Sequence, residues 1–123
     1  MMALFATLTF MSCKKENTDP PVAPTIEGRW EGLFGYGSQT PGTFYGFQIK
    51  PGGILERINN DGTVTGAGTW SLSSTVFVGT YINLGDTYSV AATYNASTGS
   101  LSGTWGYGAN TGDGGLFELS KKN

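Results

Sequence analysis

The chain has 123 residues, a formal net charge of −2, no histidine and a single cysteine. One domain is expected at that length, and so weak a charge offers no basic field for nucleic acid. Ser-His-Asp and Cys-His triads, Cys/His zinc sites and an intrachain disulfide framework are excluded by the His and Cys counts. Twenty glycines and 13% aromatic residues describe many short strands and tight turns, and the rings argue against disorder.

Residues 1–12, Met-Met-Ala-Leu-Phe-Ala-Thr-Leu-Thr-Phe-Met-Ser, form an uncharged, mostly apolar run that ends in a small residue before Cys13. The run is too short for a bilayer-spanning helix, which needs about 20 residues. It matches the apolar and cleavage parts of a secretory signal peptide. With Cys13 next, it resembles a bacterial lipoprotein signal, in which a small residue precedes the cysteine that becomes lipidated. Phe10 stands where that motif usually has leucine, and the absence of Lys or Arg ahead of the run predicts a start further upstream. The resemblance implies a lipid anchor on Cys13, binding a membrane at about 0.8 kcal/mol per buried CH₂. The competing reading, an incidental cysteine in a buried helix, leaves the abrupt change to a polar tail unexplained.

Residues 13–25 are expected to be the lipidated cysteine and a flexible, disordered tether. Pro20, Pro21 and Pro24 among Lys14, Lys15, Glu16 and Asp19 cannot bury a core and favour extended structure. Lys14 directly after the cysteine, by likeness to lipoprotein sorting in enteric bacteria, implies the outer membrane, on its periplasmic or its surface face. The start Ser12-Cys13-Lys14-Lys15-Glu16 is similar to lipoproteins of the Bacteroidota.

From residue 26 to 123 the pattern is all-β. Apolar and aromatic residues alternate with polar ones, and turn residues recur every 8–12 positions or so. Strands are predicted near 28–36, 43–50, 53–58, 64–72, 75–83, 86–95, 100–107 and 114–120, with no helix. Asn, Asp and Gly in the connections tolerate the positive φ that tight hairpins demand. Eight such strands make an antiparallel up-and-down meander, and closing it into a barrel removes both edges. The inward set is Trp30, Phe34 and Tyr36; Tyr45, Phe47 and Ile49; Trp70 and Leu72; Tyr88, Val90, Ala92 and Tyr94; Leu101, Trp105 and Tyr107; Phe117 and Leu119. The fifth strand is apolar on both faces, so alternation leaves its inward phase open. Glycines beside the rings, such as Gly32, Gly68 and Gly103, mark places where a small barrel bends tightly.

Each tryptophan follows a Gly-x pair: Gly28-Arg29-Trp30, Gly68-Thr69-Trp70 and Gly103-Thr104-Trp105. Gly-x-Trp at the entrance of an eight-stranded meander resembles the lipocalin and avidin-like barrels, and small lipocalin-like lipoproteins of the Bacteroidota most of all. That resemblance implies an eight-stranded barrel whose first tryptophan plugs the closed end. Avidin's polar biotin ligands have no counterparts here, so biotin binding is not implied.

The candidate ligand-binding residues are Tyr36, Tyr45, Tyr88, Tyr94 and Tyr107, whose hydroxyls need partners if buried and would make a polar rim at an open mouth. The tryptophans can line a cavity or stack a sugar, but their inward phase fits core and end plug better. Arg29 and Arg57 are candidates for holding a carboxylate; surface pairing, with Glu31 and Glu56 beside them, is the preferred reading. Glu31, Glu56 and Glu118 include no pair that spacing brings together for glycosidase chemistry. Residues 59–62 and 111–115 contain calcium-like fragments without enough spaced oxygen ligands, and read as turns. No metal, no cofactor and no enzymatic activity are expected. The irregular stretches 35–42 and 106–115 follow odd-numbered strands and therefore share one end, with Tyr36 and Tyr107 at its mouth.

The leading expectation is a lipid-anchored, non-enzymatic barrel of the cell envelope that binds a small apolar or aromatic ligand. It predicts an internal pocket of about 300 Å³ or more. The alternative is a protein- or glycan-contacting module of inhibitor or adhesin type, with a filled barrel and an exposed aromatic or loop patch. A structural envelope protein without a specific ligand is the third reading.

Overall fold

A computed structural model of the chain describes residues 25–122. The expected signal peptide, Cys13 and all but the last residue of the tether lie outside the described residues. Eight strands follow in order: β1 (Gly28–Phe34), β2 (Thr43–Lys50), β3 (Ile54–Ile58), β4 (Val64–Ser73), β5 (Val76–Asn83), β6 (Asp86–Asn95), β7 (Ser100–Tyr107) and β8 (Gly115–Lys121). Each pairs antiparallel with the next. β1 also pairs with β8, from Trp30↔Lys121 to Phe34↔Phe117, which closes the sheet into an up-and-down barrel. Among the described residues there is no helix. The alternation in the sequence therefore predicts the architecture correctly, with strand ends displaced by at most two residues.

The two ends differ. Where the chain enters, the connections are the short turns 51–53, 74–75 and 96–99; the opposite end carries 35–42, 59–63, 84–85 and 108–114. The 96–99 turn shows how local chemistry sets such a reversal. Asn95 Oδ1 accepts the backbone N–H of Ser97 (3.0 Å) and of Thr98 (3.3 Å), and Gly99 takes the left-handed φ of 66° that the chain needs there.

Inside, Trp30, Phe47, Leu55, Phe77, Leu101 and Phe117 are shielded from solvent. Trp30 donates its indole N–H to Ile26 O at 2.7 Å and meets the edge of Tyr94 at 6.0 Å, sealing the entry end. Trp70 lies toward the same end, donating to Lys50 O at 2.8 Å. The phase of β5, open in the sequence, is settled by its neighbours. Phe77 pairs with Leu72 and Ala92, and Tyr81 with Gly68 and Tyr88, so Phe77 and Tyr81 point in while Val76, Val78 and Ile82 face out. Close strand approach accompanies this packing. A Cβ at Gly32, Gly68 or Gly103 would fall 1.9, 1.8 or 2.0 Å from the carbonyl oxygen of Glu118, Thr80 or Ala91.

Candidate functional site: an aromatic cup at the loop-rich end

The odd strands end, and the even strands begin, at the loop-rich end. Their last or first inward residues therefore gather there: Phe34 from β1, Tyr45 from β2, Arg57 from β3, Tyr81 and Asn83 from β5. Tyr88 from β6, Trp105 and Tyr107 from β7, and Tyr36 from the β1–β2 loop complete a cup of about 200 Å³. An apolar cavity of about 150 Å³ holds benzene, so the cup is the size of a single-ring molecule. It is smaller than the leading expectation requires. The reason is that the rings below it fill the entry half of the barrel.

The floor is a hydroxyl bridge. Tyr45 and Tyr81, both buried, hold their hydroxyls 2.7 Å apart. Burial pushes the pKa of both phenols up, that of Tyr45 well above its ordinary value, so both stay protonated and neutral at physiological pH. Tyr88 stacks on Tyr81 at 5.5 Å and 27°, and its hydroxyl is also held protonated, by burial and then by the Asp86 carboxylate at the rim.

Trp105 forms the wall. Its indole N–H donates to Gly35 O at 3.0 Å, and the rings of Phe34, Tyr36, Tyr88 and Tyr107 surround it at 5.2–6.2 Å. The two long loops hold it in place. Gly35 N–H donates to Leu116 O (3.0 Å) and Gly37 N–H to Gly114 O (2.8 Å), while Gly114 lies against the indole face. The calcium-like fragments are turn braces. Asp113 Oδ1 accepts Tyr107 N–H at 2.9 Å and its Oδ2 accepts Asn110 Nδ2 at 3.1 Å; Asp61 Oδ1 accepts Thr63 N–H at 2.9 Å. Among the described residues, no three Cys, Asp or Glu side chains converge as metal ligands.

Four of the five predicted tyrosines meet here. Tyr45 and Tyr88 line the cup, and Tyr36 and Tyr107 form its rim at 54% and 47% exposure. Tyr94 does not. It is six residues further along β6, at the entry end beside Trp30. Tyr81 and Asn83 lie outside the predicted set because alternation leaves the phase of β5 open, and Arg57 is in the sequence a carboxylate candidate with surface pairing preferred.

Arg57 corrects the sequence reading. Adjacent residues of a strand face opposite sides, so Glu56 turns out to Lys50 (3.4 Å) while Arg57, paired with the inward Phe47, turns in. A register shift between Arg57 and Ile58 then breaks the alternation. The guanidinium lies 4.7 Å over the Tyr45 ring, a cation–π contact. Its Nη1 donates to Ile58 O and, at 3.4 Å, to Gly46 O. Arg29, by contrast, pairs outside with Glu31 at 2.5 Å, as predicted.

Family models, curated proteins and solved structures gave no match to this chain. What the cup does must follow from its own chemistry: an aromatic wall, neutral hydroxyls and one cation.

Proposed function

We propose that this protein is a non-enzymatic binding barrel whose cup takes a small apolar or aromatic molecule. The observation that carries this reading is Trp105, set among four aromatic rings beside a cavity of single-ring size. Stacked and edge-on rings favour a further aromatic partner by about 0.5–1.5 kcal/mol each beyond area burial. The loop hydrogen bonds hold that wall in place before any ligand arrives, which lowers the cost of binding. Glu31 and Glu56 are engaged by Arg29 and Lys50 outside the barrel, which favours binding over acid–base catalysis. The Gly-x-Trp entrance and closed meander support kinship with lipocalin-like or avidin-like barrels.

A lipid anchor on Cys13 would place the protein at the outer membrane of the cell envelope. The chain enters the barrel at the end opposite the cup, so such an anchor would be tethered at the end remote from the mouth. Cys13→Ser should then move the protein from the membrane to the soluble fraction.

The cup reading is tested by the three indole N–H signals in a ¹⁵N-correlated NMR spectrum. Toluene, benzyl alcohol and benzoate are the probes. At least one should shift Trp105 while leaving Trp30 and Trp70 in place. If none moves Trp105, the cup is not a ligand site. The exposed rim of Tyr36 and Tyr107 favours a second reading, a glycan- or protein-contacting surface, which a shift of Trp105 by oligosaccharides alone would support.

A further inference from the structure

Within the cup, one charge and one polar atom are unmatched by the fold. Arg57 has no carboxylate within ion-pairing distance among the described residues. Its two backbone hydrogen bonds both use Nη1, whereas a guanidinium carries five N–H donors in a planar fork. The rest of the fork is left to the Tyr81 hydroxyl, which it touches electrostatically, and to the cup that it lines. Asn83 also lines the cup, and its buried Oδ1 has no hydrogen-bond partner. A buried acceptor without a donor is destabilising, and a partly buried cation gains from an anion beside it. Arg57 packs on Tyr45 and braces two backbone carbonyls, yet its charge is not neutralised there. Arg57 and Asn83 both have the placement that a bound molecule would satisfy.

The geometry points to a small aromatic carboxylate as the ligand: one ring against Trp105 and Tyr88, its carboxylate on the fork of Arg57, and a ring hydroxyl donating to Asn83 Oδ1. This rests on the cup reading above and sharpens it from an apolar or aromatic ligand to an anionic one. The other charges near the mouth do not compete for Arg57. Asp86 is at the rim beside Tyr88, and Asp113 is bound into its own loop by Tyr107 and Asn110. The neighbouring tyrosines are held neutral, so Arg57 is the charge an entering ligand meets among the lining residues. Planar guanidinium–carboxylate pairing is bidentate and roughly twice as strong as a neutral hydrogen bond.

Benzoate and benzyl alcohol have nearly the same shape and differ in charge, and benzylammonium reverses it. Titrated at pH 7 against the Trp105 indole signal, benzoate should bind about tenfold or more tightly than benzyl alcohol, and benzylammonium more weakly than either. Added salt should weaken benzoate alone. Arg57→Met should lower benzoate to the level of the alcohol. A hydroxybenzoate isomer should gain a further several-fold in the wild type and lose that gain in Asn83→Leu. Equal affinity of benzoate and benzyl alcohol in the wild type overturns the anionic ligand and leaves the cup reading standing. Silence of Trp105 toward every probe overturns both. These outcomes need only the wild-type protein, so they hold even if Arg57→Met fails to fold.

Discussion

The tripeptide Gly-Thr-Trp occurs twice, at Gly68–Trp70 in β4 and Gly103–Trp105 in β7, and the barrel gives the copies different work. Locally they are alike. Each glycine sits where a Cβ would run into a carbonyl oxygen of the adjacent strand, and each indole donates to a backbone carbonyl, Lys50 O or Gly35 O. The difference is direction. β4 runs toward the chain-entry end and β7 away from it. Trp70 therefore stacks on Phe77 (6.2 Å, 26°) near the filled end, while Trp105 reaches the loops and becomes the wall of a cup. One local solution serves as packing or as a binding surface according to which way its strand points.

The strongest way to break this comparison is at the part the copies share. Gly68→Ala and Gly103→Ala should each cost about 3 kcal/mol or more, at the upper end for overpacking, because the obstacle is backbone and cannot swing aside. In a domain of this size that lowers Tm by about 12 °C or more. Thermal melts followed by circular dichroism would show it. If Gly103→Ala is tolerated and Gly68→Ala is not, close strand approach matters only at the filled end.

A smaller effect separates the filled half from the cup, at the Tyr45–Tyr81 bridge between them. The unfolded chain releases phenol protons near pH 10, whereas burial makes the folded barrel keep these two to higher pH. Above about pH 10 the folded state therefore holds more protons than the unfolded state, and stability falls as pH rises. Below that, both states are protonated and the contribution is constant. Tm measured from pH 8 to 11 should drop on the alkaline side, and Tyr45→Phe should flatten the drop although it loses a hydrogen bond at neutral pH. An unchanged alkaline slope in Tyr45→Phe would falsify this assignment.

How much of this was legible depends on which physical rule applied. Period-two alternation identifies Trp30, Phe47 and Phe117 as inward without knowledge of their neighbours, and these are buried. It also places Arg57 inward, since Leu55 and Arg57 are two apart, and strand geometry forbids its pairing with the adjacent Glu56. Residue type alone places Tyr94 with the other tyrosines; strand direction separates it. β6 begins at the loop-rich end, and six residues at about 3.4 Å each carry Tyr94 about 20 Å away from Tyr88. Tyr81 could not be found by alternation, because Val76, Val78 and Ile82 hide the polarity of β5. Its signal lay in the partner strand, where Gly66 and Gly68 leave room for Asn83 and Tyr81. The bulge after Arg57 and the unpaired Asn83 Oδ1 have no signature in composition or spacing.

The smallest expected effect concerns the two non-glycine residues with left-handed backbone among the described residues, one at each end. Ser74 has φ 57° in the β4–β5 turn, and Leu84 has φ 54° in the β5–β6 turn, where its side chain is 87% exposed. A bulky residue in that region is a genuine outlier, and Asn-Gly is the preferred pair for such a hairpin. Leu84→Asn, giving Asn before Gly85, should therefore raise stability by about 1 kcal/mol, and Ser74→Gly by less, since a small polar residue is less strained there. The pair of measurements bears on the two ends differently. Strain at Ser74 sits on a turn remote from the cup, so relieving it should leave the Trp105 response to benzoate untouched. Leu84 directly follows Asn83, which lines the cup and whose buried Oδ1 is unpaired. If Leu84→Asn stabilises the barrel and also weakens hydroxybenzoate more than benzoate, the strained turn is what aims Asn83; if both ligands bind as before, the strain belongs to the hairpin alone.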